Sequence, residues 1–261
     1  MQMLVATCWA CAKELLATMS ARRRKPKRPS KKRGHQPKGL TILYEDQDIL
    51  VVDKACGLLT VSRDGERDRT AYSALTDYVR KGVEKSNKRV FIVHRLDRET
   101  SGVLVFAKHE EAKRFLQGSW LEFQKTYYAV VNGKMPAAEG VIESYLAESG
   151  VHKMYSSPDI KKGKRSETVY KVLKETENYS LLELKLLTGR KHQIRVHLAD
   201  EGCPVVGDKK YGRGAVNEKG LGIKRLALHA ASLTIVHPHS KVEMTFSTGI
   251  PPYFESLLRG A

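Results

Sequence analysis

The chain has 261 residues, 46 Lys and Arg against 29 Asp and Glu, a formal net charge of +17 and 41% hydrophobic residues. That apolar share is enough for the core of one or two domains and excludes a wholly disordered chain. The charge predicts a polyanionic partner, nucleic acid before an anionic membrane, because Arg22 to Lys38 holds ten Lys and Arg with no acid and the remainder still carries +7.

Met3 to Met19 is largely apolar, but Lys13 and Glu14 interrupt it and it falls short of the roughly 20 residues of a spanning helix. Its basic cluster follows the apolar run, the reverse of a secretory signal, so neither anchor nor secretion is expected. A transit peptide is a poor match, and a translation start at Met19 would remove the segment altogether. Cys8 and Cys11 form a lone C-x-x-C without the second ligand pair that zinc needs. With Cys56 and Cys203 they make no disulfide framework, which predicts a reducing, cytoplasmic location. Ala21 to Gly39 is Lys, Arg, Pro, Ser and Gly with almost nothing apolar. It predicts a disordered basic tail, serving as an electrostatic arm on a phosphate backbone. Residues 1–39 are therefore set apart from one catalytic-size domain over 40–261, within which composition shows no break.

Regular structure is expected from Thr41. Ile42 to Tyr44, a polar turn over Glu45–Asp48 and the β-rich run Ile49–Val52 read as a hairpin closed by Asp53 and Lys54. Thr70 is placed to cap a helix running to about Val83, with Ala71, Leu75 and Val79 on one stripe. Val90–Val93 and Val103–Phe106 read as strands, His109–Trp120 as a helix, and Thr126–Val131 as a strand with Tyr127, Ala129 and Val131 on one face. Glu167–Leu173 and Leu181–Leu187 follow as strands, the second alternating Leu182, Leu184 and Leu186 with Glu183 and Lys185. Arg190–Glu201 predicts a helix, Leu233–Val236 and Val242–Phe246 strands, and Pro252–Arg259 a closing helix. Strands outnumber helices without regular alternation, so the class is α+β, a largely antiparallel mixed sheet flanked by helices.

The polar run His94-Arg95-Leu96-Asp97-Arg98-Glu99-Thr100-Ser101-Gly102 lies between two apolar strands, the setting in which loops carry chemistry. Asp97 stands between Arg95 and Arg98, whose charge favours a carboxylate able to act as nucleophile. Gly189-Arg190-Lys191-His192-Gln193-Ile194-Arg195 joins an apolar strand to a helix, where Arg190, Lys191 and the helix N-terminus offer a phosphate site and Arg195 reaches a different group. In Lys125-Thr126-Tyr127-Tyr128, alternation sends the two tyrosines to different surfaces. His192 and His197, five apart, turn away from each other, and His237 with His239 lacks a third ligand, so no metal is expected. No Walker loop and no G-x-G-x-x-G occurs, so no nucleotide cofactor is implied.

HRLDRETSG closely resembles the catalytic motif of the RluA-like family of RNA pseudouridine synthases, the large ribosomal and transfer RNA type. Four further segments are similar to that family in the same order: YEDQDILVVDKACGL, KTYYAVVNG, GRKHQIRVHLADEGCPVVGDKKYG and LALHAASLTIVHP. Together they span roughly residues 40–250. The family usually has Lys-Pro where this chain has Lys54-Ala55-Cys56, a departure expected to touch no catalytic group. Residues 1–39 are too short and polar for the S4-type RNA-binding domain of several ribosomal members.

The resemblance implies the pseudouridine synthase catalytic fold and the isomerisation of uridine to pseudouridine in RNA, with no cofactor and no metal. Asp97 would then be nucleophile at C1′ or at the uracil ring, or base at C2′. Tyr127 would stack on the uracil and help with the C5 proton, Arg195 would pair with Asp97, and Arg95 would fill the gap left by the flipped nucleotide. Arg95, Arg98, Arg190, Lys191, His192 and Lys125 are expected to contact RNA. Ribosomal RNA is expected over transfer RNA, and a monomer with no obligate protein partner and no membrane role. The alternatives are a non-catalytic RNA-binding or ribosome-assembly protein with the same fold and, more distantly, a metal-dependent RNA hydrolase.

Overall fold

The computed structural model describes residues 36–62, 70–83, 85–212, 223 and 225–259, all within the unit Lys31–Ala261. The expected tail lies outside the described residues except for Gln36 to Gly39, as do Cys8, Cys11 and the apolar stretch before the tail.

The first hairpin is formed by β1 (Leu40–Glu45) and β2 (Ile49–Lys54), and Asp46 builds its turn by accepting the Asp48 and Ile49 N–H groups on Oδ1. In α1 (Ala71–Arg80), Thr70 Oγ1 accepts the Ser73 N–H and the Thr70 N–H returns to Ser73 Oγ, a capping box. The helix stops three residues before the expected Val83, because Lys81 and Gly82 both take left-handed backbone. After β3 (Phe91–Ile92) and β4 (Ser101–Ala107) comes α2 (Glu110–Gly118), shorter than expected at both ends, with His109 as its cap. Five strands follow: β5 (Gln124–Asn132), β6 (Glu139–Glu148), β7 (Met154–Ser157), β8 (Lys164–Glu175) and β9 (Tyr179–Leu186). The chain ends with α3 (Gln193–Asp200), β10 (Leu228–Val236), β11 (Glu243–Ser247) and α4 (Pro252–Arg259).

The strands form one mixed sheet in the order β1-β2-β4-β10-β5-β9-β8-β6-β7, with β3 also paired to β4 and β11 to β10. Every pairing is antiparallel except β4 with β10, where Ser101 faces His229 and Gly102 faces Ala230. That contact requires glycine: Gly102 has φ +118, and a Cβ there would lie 2.2 Å from the Ala230 carbonyl oxygen.

Both faces of β2 and β4 are covered, which is why they read as unbroken apolar runs. Leu50, Val52, Leu104 and Phe106 pack with Leu75 and Val79 of α1, while Val51, Val103 and Val105 pack with Leu116 of α2. A third core joins Leu182 and Leu184 of β9 to Ile194 and Leu198 of α3 and Phe254 of α4. Tyr127 packs against the first and third of these, at the joint where the cleft opens. Among the described residues no helix is long and apolar enough to cross a membrane.

Candidate active site

Asp97 lies in the loop between β3 and β4, where the Thr100 N–H donates to its carbonyl at 3.1 Å and closes a turn. Leu96 anchors the loop in the core, and its carbonyl and N–H both bond Thr60 Oγ1, at 2.8 and 3.2 Å. On the other side the Arg98 carbonyl accepts the Gly57 N–H at 2.8 Å and Lys54 Nζ at 3.3 Å, while Arg98 Nε returns to Gly57 O. Lys54 is fully buried and donates also to Ala55 O and Leu58 O. Burial lowers its ammonium to about 8 against the opposing pull of Cys56, Asp97 and Glu99. The turn over residues 54–60 therefore grips Asp97 from both sides.

Across the cleft stand Tyr127 on β5 and Arg195 on α3. Arg195 Nη1 lies 3.5 Å from Asp97 Oδ2, and its other two nitrogens are taken by Asp208, Nε to Oδ2 at 2.7 Å and Nη2 to Oδ1 at 2.8 Å. Asp208 Oδ1 also accepts the Lys210 and Tyr211 N–H groups, and its side chain is wholly buried. Among the described residues, Arg195 is the arginine paired with Asp97; the adjacent Arg98 is spent on Gly57. Tyr127 is protonated at neutral pH, since burial and then the Asp97 charge push its phenol well above the ordinary 10.0. These groups line a cleft of about 250 Å³ whose apolar wall includes Leu96, Leu186, Ile194 and Leu228.

The other expected site residues fall in two groups. Arg95, exposed, and Arg190, exposed, lie at the cleft with Lys191 and His192. Lys191 is held by Glu148. Lys125 is a correction: it is buried, donates to Trp120 O at 2.8 Å and lies over the Trp120 ring, so it faces no ligand. The helix expected from Arg190 starts only at Gln193, because His192 takes a left-handed φ of +56. Gln193 shapes that approach, its Oε1 accepting from Arg190 N and Thr188 Oγ1 and its Nε2 donating to Glu167 O. Arg190 and Lys191 thus lie on a braced loop before the helix.

Sequence reasoning assigned nothing to Lys54, Asp208, Tyr211 or Gln193. For Lys54 a signal existed, since alternation places it on the buried face with Leu50 and Val52. His237, paired in sequence only with His239, meets Asp46 and Asp48 in space, the three offering ligand atoms within 4.8 Å of one another. Two of them bond each other, His237 Nε2 lying 2.7 Å from Asp46 Oδ2, while Asp48 Oδ1 lies 2.9 Å from Nε2 of a fourth residue, His109. They tie the β1–β2 turn to β10 and α2.

Residues 48–200 match the family model described as RNA pseudouridylate synthase. The chain is 35% identical over 230 residues to the ribosomal large subunit pseudouridine synthase D of Zymomonas mobilis, covering 84% of this chain and 72% of that protein. It is 35% identical over 225 residues to the protein of the same name from Blochmanniella floridana, covering 81% and 70%. The solved structure of human RNA Pseudouridylate Synthase Domain Containing 4 superposes with a TM-score of 0.69 at 26% identity, over 84% of this chain and 91% of that one.

Proposed function

The chain belongs to the RNA pseudouridine synthases, which are isomerases, and we propose that it converts specific uridines of ribosomal RNA to pseudouridine with Asp97 as the reacting group. The observation that carries this is the carboxylate of Asp97 in a small cleft, facing Arg195 at 3.5 Å and bordered by Tyr127 and an apolar wall. The reaction breaks the bond from uracil N1 to C1′, forms one from C5 to C1′ and moves the C5 proton to N1 or solvent. Atoms and electrons balance within the substrate, so the reading calls for no redox partner or group donor. The roughly 250 Å³ cleft is small beside the roughly 300–1,000 Å³ of ordinary small-molecule sites. It suits one base extruded from an RNA strand.

Asp97 acts through one oxygen, on C1′, on the ring or at C2′. Tyr127, a neutral phenol, stacks on the base; to take the C5 proton it must first release its own. Arg95, exposed at the rim, fills the place of the extruded base, and Arg190 and Lys191 meet phosphates on their loop, a basic surface that offsets the few kcal/mol of flipping. All these residues come from one chain, so a monomer suffices. Ribosomal rather than transfer RNA is favoured by the strongly basic chain and by relatives named for the large ribosomal subunit.

The test is tritium release from ribosomal and transfer RNA labelled at uracil C5, because C5 loses its hydrogen when it takes the sugar bond. Wild type is expected to release tritium from ribosomal RNA, and Asp97→Asn to bind RNA without turnover. Residual Asp97→Asn activity within about tenfold of wild type, about 1.4 kcal/mol of barrier, overturns the role of Asp97. Binding of both RNAs without release by wild type makes the protein an RNA binder.

A further inference from the structure

His192 occupies the N-cap position of α3 in left-handed backbone and makes no cap hydrogen bond. Such a conformation costs a non-glycine residue stability, and the position ordinarily rewards Ser, Asp or Asn. The imidazole is directed to Asp97 instead, Nε2 lying 3.6 Å from Oδ2. On its far side Nδ1 is 2.7 Å from the Tyr211 hydroxyl. That oxygen already accepts the Met154 N–H at 3.2 Å, so the phenol proton is left for Nδ1. With the phenol donating to Nδ1, the ring proton sits on Nε2, toward Asp97. Tyr211 is in turn fixed by Asp208, which accepts its N–H at 3.0 Å.

The charged groups that act on the ring are Asp97, Arg195, Lys210 and Lys191. Burial and the three cations outweigh the carboxylate and lower the imidazole to about 4, so at neutral pH it is an uncharged donor. Arg195 Nη1 reaches the same oxygen, Oδ2. At 3.5 and 3.6 Å both groups face Asp97 as charge and dipole, longer than a formed hydrogen bond.

We propose that His192 is a positioning residue for the isomerisation, its Nε2 facing the Asp97 carboxylate beside Arg195 and setting the orientation in which that carboxylate meets the substrate. This rests on the reading of Asp97 as the reacting group, and it replaces the expectation that His192 contacts RNA. The Tyr211 hydroxyl orients the ring, and His192 with Arg195 orients the carboxylate.

The full chain is tested with four variants. Asn tolerates left-handed backbone but lacks the reach of Nε2, whereas Gln reaches that position with an N–H. His192→Asn is expected to lower kcat about tenfold or more with KM for RNA nearly unchanged, and His192→Gln to recover most of the loss. Two outcomes overturn the proposal: kcat of His192→Asn within about twofold of wild type, or a folded Gln variant as impaired as the Asn one. A change in KM alone returns His192 to RNA contact. Nitrogen-15 NMR of labelled histidine gives a readout without turnover: Nδ1 is expected unprotonated in wild type, the Nε2 signal to move in Asp97→Asn, and the tautomer preference to weaken in Tyr211→Phe. A proton on Nδ1 in wild type sinks the idea. Absence of tritium release by wild type would defeat the synthase reading instead, and the NMR result would still decide the contact.

Discussion

Arg195 stands between two carboxylates that hold it differently. Asp208 takes two of its nitrogens in full burial, whereas Asp97 meets the third at 3.5 Å on a cleft wall. The first contact sets where the guanidinium lies, and the second is the one a substrate can remodel. Burial raises the Asp208 carboxyl, but Arg195 and the Tyr211 and Lys210 N–H groups outweigh it and hold it below its ordinary 3.8. Asp208→Asn leaves a buried cation opposite a neutral amide, and breaking one side of a buried pair costs about 3–5 kcal/mol. The urea midpoint at neutral pH is expected to fall accordingly. Because the folded pKa lies below the unfolded one, the contribution is complete above 3.8 and is lost as pH falls through the folded value. The gap between variant and wild type should therefore close in acid; a gap that persists there counts against the pair. At this scale Asp97 was legible from a polar run between apolar strands, whereas the roles of Tyr127 and Arg195 came from the family resemblance, alternation alone leaving Tyr127 and Tyr128 undistinguished. Asp208 was not legible, since no spacing in one dimension says that a carboxylate thirteen residues on will turn back to an arginine.

Elements were legible wherever local chemistry and burial agreed. The β1–β2 hairpin, α1 and the apolar β2 and β4 follow from turn residues, a cap and continuous hydrophobicity. β6 and β7 had no counterpart in the sequence reading, because they lie at the end of the sheet order, where charged Glu139, Glu143 and Glu148 dilute the apolar signal of Ile142 and Leu146. The start of α3 was misplaced for another reason: good helix formers at Arg190 and Lys191 yield to a loop braced by Gln193, and tertiary bonds override propensity. The sharpest demand at this scale is the parallel contact of β4 with β10. Gly102→Ala places a methyl against the Ala230 carbonyl at positive φ, so about 3 kcal/mol or more of stability is expected to be lost, read from urea unfolding. A loss below about 1 kcal/mol would mean that the strands separate without cost.

Over the whole molecule, two buried histidines and a half-buried one make the fold sensitive to acid. Burial lowers His94 to about 3, with Lys125 adding to it, and lowers His197 and His229 to about 4, from 6.5. Each is hydrogen-bonded, to the Val105 N–H, to Ser144 and Thr168, and to Ser101 and Thr248. With folded values below the unfolded one, their stabilisation is full above pH 6.5 and is lost as pH falls toward 4, about 3 kcal/mol for each of the latter two. The urea midpoint is expected to drop steeply between neutral pH and about 5; a flat profile would show that these rings are already protonated or exposed. The basic tail is expected to act on binding instead. Deleting residues 21–35 spares Gln36, which accepts the Ile42 N–H, and removes nine cations. If four of them meet phosphates, the salt slope of single-strand RNA binding is expected to weaken by about 3, and an unchanged slope rules the arm out.

The sequence by itself determined the fold class and the loop that carries Asp97, and its charge set the expectation of a polyanionic partner, because composition, periodicity and ordered motifs are properties of neighbours along the chain. Only the tertiary structure decided which cation meets Asp97, that Lys125 is buried, and that Lys54, His192, Tyr211 and Asp208 surround the site. Those facts depend on closing long loops and on removing charges from water. A carboxylate or an ammonium is stable in the interior only where distant residues supply its partners, and which residues those are is settled when the sheet assembles.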